Sequence, residues 1–253
     1  MKVQSIERVF DIIEYIANQQ GPVTLSQVAG DLGLAASTVH RLLGTLLERG
    51  YVEQAAPNRQ YKIGIRFIEL ASQYLRGLEL RTEAAPFLRE LSRRGGHPAM
   101  MATIMDDEIV YIERLDERGV NLRNYSFIGQ RRPLYSTGLG KAILMGLPKS
   151  KRDHLIAGMT FVRKTANTIT DPERLKAELD LSLKRGFSKD DEEETIGFRC
   201  VAAPIRDYRN QVIAAVSTSW LSDFFDSVDE DKLASLVVEA AMKISKRMGY
   251  DAS

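Results

Sequence analysis

Over the first 65 positions, apolar residues recur at helical spacing in three short blocks. Ile6, Val9, Phe10, Ile13, Ile16 and Ala17 form one stripe, and Leu25, Val28, Ala29 and Leu32 a second. Val39, Leu42, Leu43 and Leu46 form the third. Thr24 is placed to cap the second helix, and Gly33 supplies the left-handed backbone that stops it. Two helices meeting at a glycine turn are therefore predicted between residues 24 and 49. Opposite the third stripe lie Ser37, Thr38, His40, Arg41 and Thr45, small or hydrogen-bonding side chains gathered toward the N-terminal end of that helix. Gly50 ends it. Tyr51–Gln54 and Arg59–Ile63 then read as two strands about the turn Ala55-Ala56-Pro57-Asn58.

Two helices alone fit an ordinary helical hairpin. The strand pair after them changes the picture. A helix-turn-helix presents the N-terminal end of its second helix to the major groove, and a hairpin directly behind it is a wing. Residues 1–65 are thus predicted to be a winged helix-turn-helix domain bound to double-stranded DNA. Its contacts are expected from Ser37, Thr38, His40, Arg41, Thr45, Asn58, Arg59 and Lys62.

The pattern Phe67, Ile68, Leu70, Ala71, Tyr74, Leu75 predicts a helix from about Arg66 to Gly77, read as a linker over 66–80. Such a helix suits dimer formation, because operator-reading units usually act in pairs. The alternative is a helix belonging to the second domain alone. A further helix runs through Pro86, Leu88 and Leu91 to Arg94-Gly95-Gly96. Residues 81–253 then mix strands (100–105, 109–114, 121–127, 200–206, 212–219) with helices (138–145, 172–184, 229–248). Asp106-Asp107 and Asp207–Asn210 supply turns. Hairpin strands among helices predict an α+β fold with an antiparallel sheet.

Composition narrows the classes. The chain has 253 residues, 44% apolar and 27% charged, room for two modest domains each with a core. Formal net charge is +1, and residues 1–66 are no more basic than the whole, with seven Lys/Arg against six Asp/Glu. DNA binding must then rest on local placement of Arg41, Arg49, Arg59 and Lys62. One cysteine, Cys200, excludes an internal disulfide and fits a reducing cytoplasm. No signal peptide and no membrane-spanning run is predicted.

Candidate chemistry is confined to the second domain. Tyr135-Ser136-Thr137-Gly138-Leu139-Gly140-Lys141 leads from a turn into a helix whose first N–H groups suit a small carboxylate. It is no P-loop, since Ala142 follows the lysine. A tightly packed helix start without a ligand is the competing account. The acids Asp190-Asp191-Glu192-Glu193-Glu194 read as solvated surface, with one of them able to fold inward toward a ligand hydroxyl. Cys200, Ala202, Ser217 and Ser219 alternate on two strands, a polar patch on an apolar face. Catalysis by Cys200 lacks a base among His40, His97 and His154, and no ligand spacing supports a metal at His97 and Cys200.

These residues together resemble the isocitrate lyase regulator (IclR) family of bacterial transcription factors over nearly the whole chain. The likeness is carried by Ser5-Ile6-Glu7-Arg8, Ser37-Thr38-Val39-His40-Arg41-Leu42-Leu43 and Arg49-Gly50-Tyr51-Val52. It continues through Pro133–Lys141, Asp191-Glu192-Glu193, Gly197–Pro204 and the Ser217/Ser219 pair. Asn121–Gly129 resembles the 2-keto-3-deoxygluconate repressor-like branch concerned with sugar-acid catabolism. The resemblance implies a GAF-like effector domain, assembly as a homodimer or dimer of dimers, and a small organic acid effector. It places the effector pocket at Gly138, Leu139, Asp190, Phe198, Cys200, Ser217 and Ser219. It requires no cofactor and no metal. Two positions depart from the family: Ala36 stands where Lys is frequent, removing a DNA contact, and Phe198 where Leu is usual, favouring a smaller or flatter ligand. The function implied is an effector-responsive regulator, a repressor of a carboxylate or sugar-acid catabolic operon. The residues alone leave open an enzyme or redox sensor built on Cys200, and a constitutive DNA-binding protein.

Overall fold

The computed structural model describes residues 3–55, 58–76, 79–117, 126–221 and 227–251. The chain forms two compact units, Met1–Gly77 and Leu78–Ser253.

In the first unit, α1 (Gln4–Ala17), α2 (Leu25–Asp31) and α3 (Ala36–Glu48) precede a two-stranded sheet of β1 (Val52–Ala55) and β2 (Gln60–Ile63). Thr24 caps α2 through a reciprocal box: its hydroxyl accepts from Gln27 N at 3.2 Å, and Gln27 Oε1 accepts from Thr24 N at 2.8 Å. Gly33 follows with φ +62°. The predicted inner face of α3 is buried residue for residue: Val39, Leu42, Leu43 and Leu46. The α1 stripe differs. Ile12 and Ile16 are its buried residues, Val9 and Ile13 are partly covered, and Ile6, Phe10 and Ala17 are exposed. Apolar side chains lie on more than one face of α1, and its contacts with α2 and β2 select which face is buried. Val23 adds a bridge to Tyr61, with bonds of 2.9 and 2.7 Å, that the pattern did not announce. The next helix, α4 (Arg66–Arg76), is tied to this unit by Tyr51 and Phe67, whose rings meet edge-on at 5.3 Å.

The second unit begins with α5 (Glu79–Gly95). The strands β3 (Ala99–Met105), β4 (Glu108–Leu115) and β5 (Arg131–Pro133) follow, then the helices α6 (Gly138–Gly146), α7 (Lys149–Gly158) and α8 (Pro172–Arg185). The chain closes with β6 (Ser188–Asp191), β7 (Phe198–Arg206), β8 (Val212–Leu221) and α9 (Glu230–Arg247). The six strands pair antiparallel in the order β5-β4-β3-β8-β7-β6. Strand alternation divides the core in two. Val201, Ala203 and Ile205 join α5 and α9 through Leu88, Leu91, Val237 and Ile244. Ala202 and Ala215, on the other face, join Leu139, Ile143, Leu175 and Leu179 of α6 and α8. α6 is buried along its whole length, so its apolar residues show no single stripe.

Three elements escaped the pattern. β6 is Ser-Lys-Asp-Asp with no apolar residue, β5 is three residues long, and α7 carries charge on most of its surface. Of the strand expected at 121–127, residues 121–125 lie outside the described residues, and Ser126 and Phe127 are not in a strand. Among the described residues no helix is long and apolar enough to cross a membrane.

Candidate functional site

On α3, Ser37, His40, Arg41 and Thr45 are exposed and Thr38 is partly covered. Ala35 at the N-cap offers no side-chain acceptor, so the first amides of α3 suit an outside anion such as a phosphate. Thr45 differs from expectation: its hydroxyl bonds back to Arg41 O at 3.3 Å. At the wing tip Asn58 and Arg59 are exposed, and Gln54 Nε2 closes the turn by donating to Arg59 O at 3.0 Å. Lys62 is not a bare cation, because its ammonium lies 3.0 Å from Glu53 Oε2. That pairing, with a bond from Ile65 N, holds the Glu53 carboxyl below its usual range.

The second unit holds a small cavity, with about 30 Å³ open to the centre of a water-sized sphere. All seven residues that the family resemblance singled out line it: Gly138, Leu139, Asp190, Phe198, Cys200, Ser217 and Ser219. Strand register explains why. Cys200 pairs with Asp190 on one side and Ser219 on the other, while Ser217 pairs with Ala202 and Met100, so these side chains share one sheet face.

The helix start differs from the expected cradle. A Cβ at Gly138 would overlap Cys200 Sγ, and one at Gly140 would overlap the Leu134 backbone. Both glycines therefore serve contact between α6 and its neighbours. Thr137, the N-cap, accepts from Gly140 N at 3.0 Å, and the Gly138 amide lies against the Cys200 sulfur. Leu139 N–H is the first-turn donor those contacts leave for a ligand.

The acidic run is also corrected. Asp191 is exposed, but Asp190 and Glu193 are buried and the Glu194 side chain is 7% exposed. Each inward acid has cationic or amide partners. Glu193 is paired with Lys141, itself fully buried. Glu194 meets Arg132 Nη1 at 2.9 Å and also binds Ser136 Oγ and Lys164 Nζ. Asp190 Oδ1 accepts from Glu193 N at 2.8 Å and Glu194 N at 3.3 Å, so one of its oxygens organises the loop rather than awaiting a ligand. Burial pushes Asp190 up to about 7, with Lys141 opposing and Glu193 adding to the rise.

Cys200 is pushed up to about 12, chiefly by burial, and stays a neutral thiol. No histidine lines the cavity to act as its base. Ser219 hydrogen-bonds the thiol. Ser217 differs from both: its hydroxyl is fully buried and has no hydrogen-bond partner among the described residues. Among the described residues no group of His, Cys, Asp and Glu could hold a metal ion. Met100, Tyr111, Ser126, Arg132 and Thr195 also line the cavity and were not read from sequence, while Thr137 and Glu194 come from the helix start and the acidic run that the sequence had singled out.

Two family models match the chain. The IclR helix-turn-helix domain covers residues 5–56, and the bacterial transcriptional regulator IclR C-terminal covers residues 72–246. The HTH-type transcriptional regulator KdgR of Escherichia coli K12 is 33% identical over 248 residues, 98% of this chain and 94% of that protein. The crystal structure of Thermotoga maritima IclR is 30% identical with a TM-score of 0.82, covering 98% of this chain and 99% of that one. An IclR homologue from Microbacterium hydrocarbonoxydans, solved in complex with 4-hydroxybenzoate, shares the fold at 23% identity and TM-score 0.82, covering 96% of this chain and 98% of that one.

Proposed function

Because this chain belongs to the IclR family of bacterial transcriptional regulators, we propose that it represses a carboxylate or sugar-acid catabolic operon and is switched by an organic acid in the second-unit cavity. Residues 1–65 read the operator, 66–80 connect, and 81–253 hold the effector. Ser37, Thr38, His40 and Arg41 face the major groove, Thr45 flanks them, and Asn58, Arg59 and Lys62 bind phosphate from the wing. Two copies act together: Val3, Ile6 and Phe10 on α1, and Ile65 and Ile68 at α4, are exposed apolar side chains that a second copy would cover. Operator binding places its work in the cytoplasm.

One observation supports the cavity assignment above the rest. A buried hydroxyl without a partner costs on the order of 1–3 kcal/mol, and Ser217 stands in that condition on the cavity wall. A ligand oxygen removes the penalty. Leu139 N–H and the Ser219 hydroxyl stand beside it for the same acid, and Phe198 and Tyr111 supply flat apolar walls. The Microbacterium homologue, which shares the fold, holds the organic acid 4-hydroxybenzoate, and KdgR among the relatives supports the sugar-acid branch.

The test is operator affinity by fluorescence anisotropy, with and without acids that raise the melting temperature. Effector and operator must alter each other's affinity by one factor. Ser217→Ala/Ser219→Ala should bind operator as the wild type does and ignore the acid. An equal response in both proteins would sink the cavity assignment.

A further inference from the structure

The charges around the cavity go beyond naming it a carboxylate site, and they limit which carboxylates it takes. Among the described residues, six ionisable groups of fixed sign surround it, three acidic and three basic. Asp190 and Glu194 line the wall with Arg132, while Glu193, Lys141 and Lys164 stand directly behind as their partners. The two edges of the sheet meet here: Arg132 on β5 reaches Glu194, in the loop after β6, at 2.9 Å. Glu193 and Glu194 each hold a cation directly. Among the described residues Asp190 has no direct cation; its Oδ1 is held by two backbone N–H groups. With all six groups ionised the cluster is neutral, and any anionic ligand makes it negative. With Asp190 protonated, the cluster has one surplus positive charge.

Resting on the effector assignment above, we infer that the cavity selects acids carrying one negative charge and that binding such an acid is coupled to a proton held on Asp190. A monoanion then neutralises the cluster. A dianion leaves a buried negative charge even when Asp190 is protonated. The groups facing Asp190 are few and named. Lys141 of α6 and the Glu193 and Glu194 backbone N–H groups favour its ionised form, the Glu193 carboxylate favours the protonated one, and the Cys200 thiol is itself held neutral by burial. Tyr111 of β4 is itself held neutral by burial. Arg132 of β5 is engaged by Glu194. On α8, Glu178 is taken by Arg185, and on the outer side Asp191 and Glu192 are taken by Arg199. Burial, opposed by Lys141 and reinforced by Glu193, raises the Asp190 carboxyl to about 7, inside the range where the coupling is measurable.

The probes are matched by skeleton and differ in charge: D-gluconate against D-glucarate, and 2-hydroxybutyrate against malate. Calorimetric titration of the full chain should show the monoanion of each pair binding and its dianion at least tenfold weaker. In buffers of different ionisation enthalpy, binding of the monoanion should be accompanied by uptake of close to one proton by the protein at pH 8. Its affinity should fall by about tenfold for each pH unit above 7, and level off below about 6. Asp190→Asn keeps the acceptor for Glu193 N and Glu194 N; it should bind the monoanion with no proton uptake and no such pH dependence. Equal affinity for mono- and dianion, or binding without proton uptake in the wild type, overturns this inference and leaves the effector assignment standing. Binding by none of these acids, nor by 4-hydroxybenzoate, overturns the effector assignment and this inference with it. If Asp190→Asn does not fold, the wild-type proton count and the charge-matched pairs decide the matter alone.

Discussion

Replacing Ser217 by alanine should stabilise the ligand-free protein, against the usual direction for a buried substitution. The Ser217 hydroxyl is fully buried, without a hydrogen-bond partner, at a cavity wall. Removing it recovers the penalty of an unsatisfied hydroxyl, about 1–3 kcal/mol. The void left by one oxygen costs a few tenths, at roughly 24 cal/mol per Å³. The net gain is about 1 kcal/mol or somewhat more, a rise of roughly 2–4 °C in melting temperature for a unit of this size. With ligand bound the sign reverses, because the acid loses one hydrogen bond worth about 1–3 kcal/mol, or roughly 5- to 150-fold in affinity. Thermal denaturation with and without a binding acid therefore reads both effects, and the ligand-induced shift should shrink from both ends. If ligand-free Ser217→Ala melts several degrees below the wild type, the hydroxyl is structurally bonded and the reasoning fails. An undiminished ligand shift would refute the second half.

Gly138→Ala places a methyl group on Cys200 Sγ; urea unfolding should show a loss of about 1–3 kcal/mol, largely restored by adding Cys200→Ala. Lys141→Met leaves Glu193 charged and buried, costing about 3–5 kcal/mol, and Lys141→Met/Glu193→Leu should recover most of it. Asp190 is raised from 3.8 to about 7, so the folded state holds the proton more tightly. Its contribution to stability is therefore full below about pH 4 and lost as pH climbs to 7, on the order of 4 kcal/mol, and Asp190→Asn should flatten that slope. Arg41→Ala should weaken operator binding by about 1–3 kcal/mol in a folded dimer. Arg59→Ala should lower the slope of log affinity against log salt by about 0.9, and Lys62→Ala by less, since Glu53 already faces that ammonium.

Local rules carried far in this chain. The α2 cap, the turn at Gly33 and the buried row Val39, Leu42, Leu43 and Leu46 follow from residue spacing, because a helix repeats every 3.6 residues whatever surrounds it. Cys200, Ala202, Ser217 and Ser219 could be placed on common strand faces for the same kind of reason, a period of two. What spacing could not supply is which face meets which neighbour. On α1, contacts with α2 and β2 bury Ile12 and Ile16 and leave Ile6 and Phe10 outside. In the acidic run, five like charges argue for water until Lys141, Arg132 and Lys164 arrive from other elements to meet Glu193 and Glu194. Those partners lie 30 or more positions away along the chain, and only the antiparallel order of the six strands brings them to one cavity. Periodicity is a property of the local backbone, so the sequence alone determined the elements long and patterned enough to show it, though not β5, β6 or α7; burial and charge pairing depend on distant neighbours, so the tertiary structure decided that Asp190 would be a buried acid and Ser217 an unpaired hydroxyl.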